Sequence, residues 1–298
     1  MRYRASMTDS AFEPATDEGL HTIKAFSVQT EPAQDAVAST TAFSLRWPIG
    51  PIGGELVEVA TEGNDTLHGT SGNDTTYGLG GNDILFGSAG ADFLHGGDGF
   101  DTVDYSASAH SVWVDAQRGL GGFGDADGDT YASIEKVVGS NYDDFMFANS
   151  AGMTLDGNLG NDYLTGNSGN DVIIGGAGYD TLTGGGGSDT FVVGLNTGYD
   201  RIVDFQEGID KIGLQGLDPS VLGKDHELAR GFFTSEGDLR FVGANFDSSD
   251  KIYFDTVTNQ LRTIDSTWIN GHLSNYRSDL IATFDDNITL HTYDLSFV

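Results

Sequence analysis

The feature that most constrains this chain is a period of nine. Asp65, Asp74, Asp83, Asp92 and Asp101 follow one another at that interval. Each stands two residues after a glycine (Gly63, Gly72, Gly81, Gly90, Gly99) and two before Leu67, Thr76, Leu85, Leu94 or Val103, apolar in all but one copy. The period returns at Asp144, Asp162, Asp171, Asp180 and Asp189, with Met153 in one acidic slot. A fixed-period repeat decides an architecture before local propensity is weighed. A glycine-rich linker would have no reason to hold an apolar residue at constant phase.

Nine residues with one inward apolar position make a short strand and a tight turn. Glycine supplies the positive φ such turns need, and Asn tolerates it best among the others. Two units form one coil of a flattened parallel solenoid, so equivalent residues two repeats apart stack at one strand spacing, ~4.8 Å. The stacked acids are then Asp65–Asp83, Asp83–Asp101, Asp74–Asp92, Asp144–Asp162, Asp162–Asp180 and Asp171–Asp189. Inside them runs an apolar row, Met146, Leu155, Leu164, Ile173, Leu182 and Phe191. The expected fold is all-β: a parallel β-roll, right-handed, in two blocks with an insertion, followed by a β-rich C-terminal domain.

Carboxylates at that spacing repel by about 1 kcal/mol in water and by several at a protein surface. No Lys or Arg lies between Arg46 and Arg118, or between Lys136 and Arg201. The ladders therefore call for an external cation. Calcium, with six to eight oxygens at about 2.3–2.6 Å, suits the gap and can use turn carbonyls; magnesium, at about 2.0–2.1 Å and strictly octahedral, suits it less. Asp outnumbers Glu by 35 to 10, as turn-based metal loops prefer. All ten repeat aspartates are candidate metal ligands, and Asp83 and Asp162, each in two stacked pairs, should matter most. Met153 leaves its stack on Asp171 weak or empty.

These residues resemble the nonapeptide G-G-x-G-x-D-x-U-x of the repeats-in-toxin (RTX) proteins, over roughly a third of the chain. The resemblance implies several bound calcium ions and a secreted, extracellular protein. Residues 190–214 resemble the segment that closes the roll in the serralysin-type C-terminal domain, with Asp200, Asp204 and Asp210 at its acidic positions. Residues 250–261 and 280–290 read as strands of that domain. Asp294–Val298 resembles the uncleaved signal read by the type I secretion apparatus.

The organisation follows. Residues 1–58, holding four of the five prolines, read as a mostly disordered leader with a capping segment in which Trp47 packs. Residues 59–105 are the first block, 106–138 the insertion, 139–214 the second block with its closing segment, and 215–298 the C-terminal β-rich secretion domain. Within the insertion, residues 111–116 alternate like a strand and 131–139 suit a strand or short helix. Asp125 to Asp129 reads as an exposed acidic loop, since an EF-hand would need a Glu at its twelfth position.

Composition narrows function. A net charge of −31 argues against nucleic acid and anionic lipid. Without cysteine there is no disulfide or thiol chemistry, and metal is the obvious staple. No apolar run approaches a membrane span of about 20 residues, and the first twenty residues lack the apolar core of a signal peptide. The histidines never form H-E-x-x-H, so the serralysin zinc site is missing; there is no G-x-S-x-G elbow. His68 and His95 fall outside the acidic turns and read as solvated strand residues. The expectation is a non-enzymatic calcium-binding protein with a binding, surface or host-interaction role. The alternatives are a membrane-active, toxin-like RTX protein and a divergent secreted enzyme.

Overall fold

The computed structural model describes residues 43–46, 56–194 and 198–215. Beyond these it describes 229–233, 239–241, 252–255, 258–263, 265–269, 272–277, 280–285, 288, 290 and 294–298. The leader expected over 1–58, apart from its last strands, and Trp47 lie outside the described residues, as do His21, His226 and His291.

Three-residue strands repeat along the chain, and in those of the nine-residue register the middle residue is buried. That pattern follows from the sequence: one apolar residue per unit allows one inward position per strand. The strands form two parallel sheets facing each other. In spatial order, one sheet runs from Thr66–His68 through Ile84–Phe86, Thr102–Asp104, Lys136–Val138, Thr154–Asp156, Val172–Ile174, Thr190–Gly194 and Lys211–Gln215 to Leu295–Phe297. Its register stacks Leu67, Leu85, Val103, Val137, Leu155, Ile173, Phe191 and Ile212 in one inward row. The opposite sheet stacks Val114, Met146, Leu164, Leu182, Ile202 and Phe284. These side chains are 0–5 % exposed, and each full burial contributes about 1.5–3 kcal/mol. The core is thus two side chains thick, and the described roll contains no α-helix.

The stretch 106–138 departs from the nine-residue period yet keeps the ladders going. Lys136–Val138 sits between Thr102–Asp104 and Thr154–Asp156 in parallel register. Thr130–Ala132 lies parallel on Phe93–Asp98, so residues 131–139 contribute strands rather than a helix. Trp113–Asp115 turns back antiparallel onto Leu120–Gly122. The expected exposed loop at 125–129 is corrected: Asp129 is 1 % exposed. It is drawn in because its carboxylate caps the Asp92 backbone N–H and receives the Tyr105 hydroxyl.

At the near end, Phe43–Arg46 pairs antiparallel with Leu56–Val59, which adds parallel to Thr75–Gly80. At the far end the parallel order gives way to antiparallel pairs, Ile252–Asp255 on Gln260–Thr263 and Gln260–Thr263 on Leu280–Phe284. Leu295–Phe297 closes one sheet as an edge strand on Lys211–Gln215.

Candidate metal centre

Strand stacking brings the acids of successive coils into columns. In each column one oxygen does the same work: Oδ1 accepts the backbone N–H of the equivalent residue one coil earlier. Asp83 accepts from Asp65 at 2.7 Å, Asp101 from Asp83 at 2.8 Å, and Asp92 from Asp74 at 2.8 Å. Asp162 accepts from Asp144 at 2.8 Å, Asp180 from Asp162 at 2.8 Å, Asp171 from Met153 at 2.7 Å and Asp189 from Asp171 at 2.9 Å. These charge-assisted bonds fix the carboxylate plane. Beside them, the Asn residues before the acids form a second ladder: Asn64 accepts from the Asn82 N–H, Asn82 from Phe100, Asn161 from Tyr179 and Asn170 from Ser188. The sequence had suggested only turn tolerance for Asn; its coil-to-coil bonding needs the stacked neighbour to be seen.

The other carboxylate oxygen is unsatisfied in six places. Oδ2 of Asp83, Asp101, Asp162, Asp171, Asp180 and Asp189 is buried with no hydrogen-bond partner, in residues at most 2 % exposed. A buried oxyanion without a donor costs several kcal/mol, so something else must meet it. Each faces the open side of a glycine five residues earlier. A Cβ built on Gly166 would lie 2.5 Å from Asp171 Oδ2 and 2.5 Å from the Gly184 carbonyl of the next coil. At Gly157 the same point is 2.2 Å from Asp162 Oδ2 and 2.5 Å from the Gly175 carbonyl, and at Gly78 it is 2.3 Å from Asp83 Oδ2 and 2.2 Å from the Gly96 carbonyl. A side chain is excluded there, and a carboxylate of one coil converges with a carbonyl of the next.

Such a donor set fits calcium: hard oxygens of mixed origin, flexibly arranged. It does not fit zinc or other side-chain-ligated ions. Indeed, no cluster of three or more His, Cys, Asp or Glu side chains poised for a metal occurs among the described residues. His68 stacks flat on Phe86 at 4.4 Å and His95 sits among Tyr77 and Phe93, both on strand faces.

Electrostatics agree. Burial pushes the carboxyls of Asp83, Asp101, Asp180 and Asp189 upward, aided by neighbouring acids. Burial also raises Asp171 to about 6, and raises Asp162 to about 9 with Asp180 and Asp144 beside it. The described ion pairs, Arg118–Asp115, Lys136–Asp156 and Arg201–Asp285, bring no cation to these six acids.

All ten acids singled out by period are buried in the columns. Other acids join them outside the period: Asp129 and Glu135 were missed, while Asp200, Asp204 and Asp210 are those that the resemblance of 190–214 had given as acidic positions. Asp129 stands over Asp92, and Glu135 accepts the Asp101 N–H at 2.9 Å. Asp200 accepts from Asp180, Asp210 from Asp189, and Asp204 from Gly184 and Gly185. Their spacing breaks the nine-residue rule because loops of other lengths precede them. For Asp129, Glu135 and Asp210 the available signal was an acid immediately before a strand, as at the repeat aspartates; Asp200 opens its strand and Asp204 lies beyond it.

A family model for the RTX calcium-binding nonapeptide repeat matches in four copies, residues 59–93, 68–103, 123–173 and 165–197. A search of curated proteins finds no match. Among solved structures, the chain is similar to the extracellular lipase LipA from Serratia marcescens, at 19% identity and a TM-score of 0.31. That alignment covers 79% of this chain and 38% of the lipase chain, so this chain spans well under half its length. A likeness at that score carries no argument about activity. What the repeats establish is narrower and firm: the chain carries RTX calcium-binding nonapeptide repeats, folded as a parallel β-roll.

Proposed function

We propose that this chain is a secreted calcium-binding RTX protein that acts by binding rather than catalysis, and that calcium switches its roll from unfolded to folded outside the cell. The carrying observation is the set of six buried, unpartnered Oδ2 atoms, each facing a glycine's open side. Without an ion, folding buries these charges against a core only two side chains thick, and ordering entropy of about 1–2 kcal/mol per residue wins. With ions bound between coils, each ordered coil presents an edge to the next, and the transition is cooperative.

Extracellular calcium modules bind at about 10⁻⁴–10⁻³ M. Such affinities leave the chain unfolded at low cytosolic calcium, in a state a type I exporter can thread, and fold it on arrival. The resemblance of Asp294–Val298 to an exporter signal and of 190–214 to the serralysin-type closing segment supports that route. No helix among the described residues is long and apolar enough to cross a membrane, which leaves strands aside; liposome leakage addresses that alternative. The repeats, which match a calcium-binding family model, carry the binding reading.

The test is circular dichroism from chelator to 10 mM calcium, a range beyond the ~10⁻³ M upper affinity. Low β-signal in chelator, a steep rise with calcium and a weak response to magnesium are expected. An unchanged spectrum would overturn the switch.

A further inference from the structure

The ten repeat aspartates share one column geometry but end in two kinds of turn. In the open kind, the residue four before the acid has positive φ: Leu79 (72°), Gly97 (120°), Asn158 (69°), Asn167 (78°), Gly176 (94°) and Gly185 (91°). These precede Asp83, Asp101, Asp162, Asp171, Asp180 and Asp189, the six whose Oδ2 has no partner. In the closed kind that position holds Ser or Thr, and it turns its own donors onto Oδ2. Thr61 donates its N–H at 2.7 Å and hydroxyl at 2.6 Å to Asp65. Thr70 does the same to Asp74 at 2.5 and 2.9 Å. Ser140 gives its N–H to Asp144 Oδ2 at 2.6 Å, and the Ser88 hydroxyl bonds Asp92 Oδ2 at 2.9 Å.

Along the Asp74–Asp92–Asp129 edge, the space that stays open elsewhere is also filled. A Cβ on Gly69 would meet Ser88 Oγ at 2.3 Å rather than a carbonyl, and one on Gly87 would meet the Tyr105 ring at 2.0 Å. The Tyr105 hydroxyl then donates to Asp129 Oδ2 at 2.5 Å. Ser88 Oγ and the Tyr105 ring stand where the open turns of Asp83, Asp162 and Asp171 present a carbonyl of the next coil. At Asp144 a carbonyl, that of Gly157, is also 2.9 Å from a Cβ on Gly139, and it is Ser140 that closes the turn. At Asp65 the glycine five residues earlier is replaced by Ala60.

We infer that the roll is divided: among the described repeats, calcium enters only the six open turns, while the turns of Asp65, Asp74, Asp92 and Asp144 take none and are held by Thr61, Thr70, Ser88, Tyr105 and Ser140. The Asp74–Asp92–Asp129 edge of the first block is therefore a metal-independent seam, and the ions lie on its other edge and along both edges of the second block. A hydroxyl or N–H supplies the same oxygen with a neutral donor, so the acid keeps its backbone-capping role without an ion. This inference rests on calcium binding as proposed above, and narrows it to particular turns.

Asp83 and Asp92 belong to adjacent repeats on opposite edges of the first block, so Asp83→Asn and Asp92→Asn form a matched pair. Calcium stoichiometry of the full chain, by equilibrium dialysis and native mass spectrometry, should fall by one ion for Asp83→Asn and stay at the wild-type value for Asp92→Asn. Should Asp83→Asn not fold, Leu79→Thr supplies the same reading without touching the acid: Leu79 is exposed, and a hydroxyl there should close the turn and remove one ion. Equal losses from the two Asn variants, or no loss from Asp83→Asn and Leu79→Thr, would overturn the division and leave calcium binding intact. A wild-type chain that takes up no calcium would overturn both.

Discussion

Protons should substitute for calcium at the buried acids, and Asp162 is where the effect is largest. Its side chain is 2 % exposed, its Oδ2 is unpartnered, and burial beside Asp180 and Asp144 raises its carboxyl to about 9. In the unfolded chain the same group titrates near 3.9. The folded, ion-free roll therefore binds one more proton than the unfolded chain throughout that window. Stability from this group is present in full below the unfolded value and is lost as pH rises through the folded one. Each pH unit inside the window is worth about 1.4 kcal/mol per proton, so lowering the pH from 8 to 5 should favour the ion-free roll by ~4 kcal/mol at Asp162 alone. Asp171, raised to about 6, adds to the last part of that change. Calcium needs the ionised form, so the same step should weaken calcium binding at this site, by up to tenfold per unit.

The assay is far-ultraviolet circular dichroism in buffer stripped of calcium by resin, since carboxylate chelators lose their grip in acid. It stops at pH 5 because the isoelectric point is about 4.1. Wild type should gain β-structure as pH falls, and Asp162→Asn should show a flatter profile with more structure at pH 8. A calcium-free spectrum that does not change from pH 8 to 5, or an Asp162→Asn profile identical to wild type, would refute the reasoning.

Two further outcomes follow from packing and from the proposed route. Leu164→Ala removes a fully buried member of the inward row and should cost about 2–5 kcal/mol, read as a higher calcium concentration at the folding midpoint; an unmoved midpoint would show that the row does not couple to ion binding. Deleting residues 239–298, which include the Leu295–Phe297 edge strand, should leave the protein inside cells that carry a type I exporter; unchanged secretion would reject that route.

The period alone determined a great deal here. Spacing of Asp65 to Asp101 and Asp144 to Asp189 implied strand-plus-turn units, and one apolar residue per unit implied an inward row. With a side-chain period of two and two units per coil, Leu67 can stack only on Leu85, and Asp65 only on Asp83. Such contacts are local in register even where they are distant in sequence, and so they are legible. What the tertiary structure decided is which acids are left wanting a cation. That depends partly on the Ser or Thr four residues before an acid, which the sequence shows, and partly on groups arriving from other coils: the Ser88 hydroxyl beside Gly69, the Tyr105 ring beside Gly87, and Asp129 and Glu135 returning from a loop to complete columns begun by Asp92 and Asp101. A carboxylate's second oxygen is satisfied or orphaned by its neighbours within hydrogen-bond reach: the Ser or Thr four residues before Asp65, Asp74, Asp92 and Asp144 lies within one repeat, whereas the groups from other coils lie in no nine-residue window.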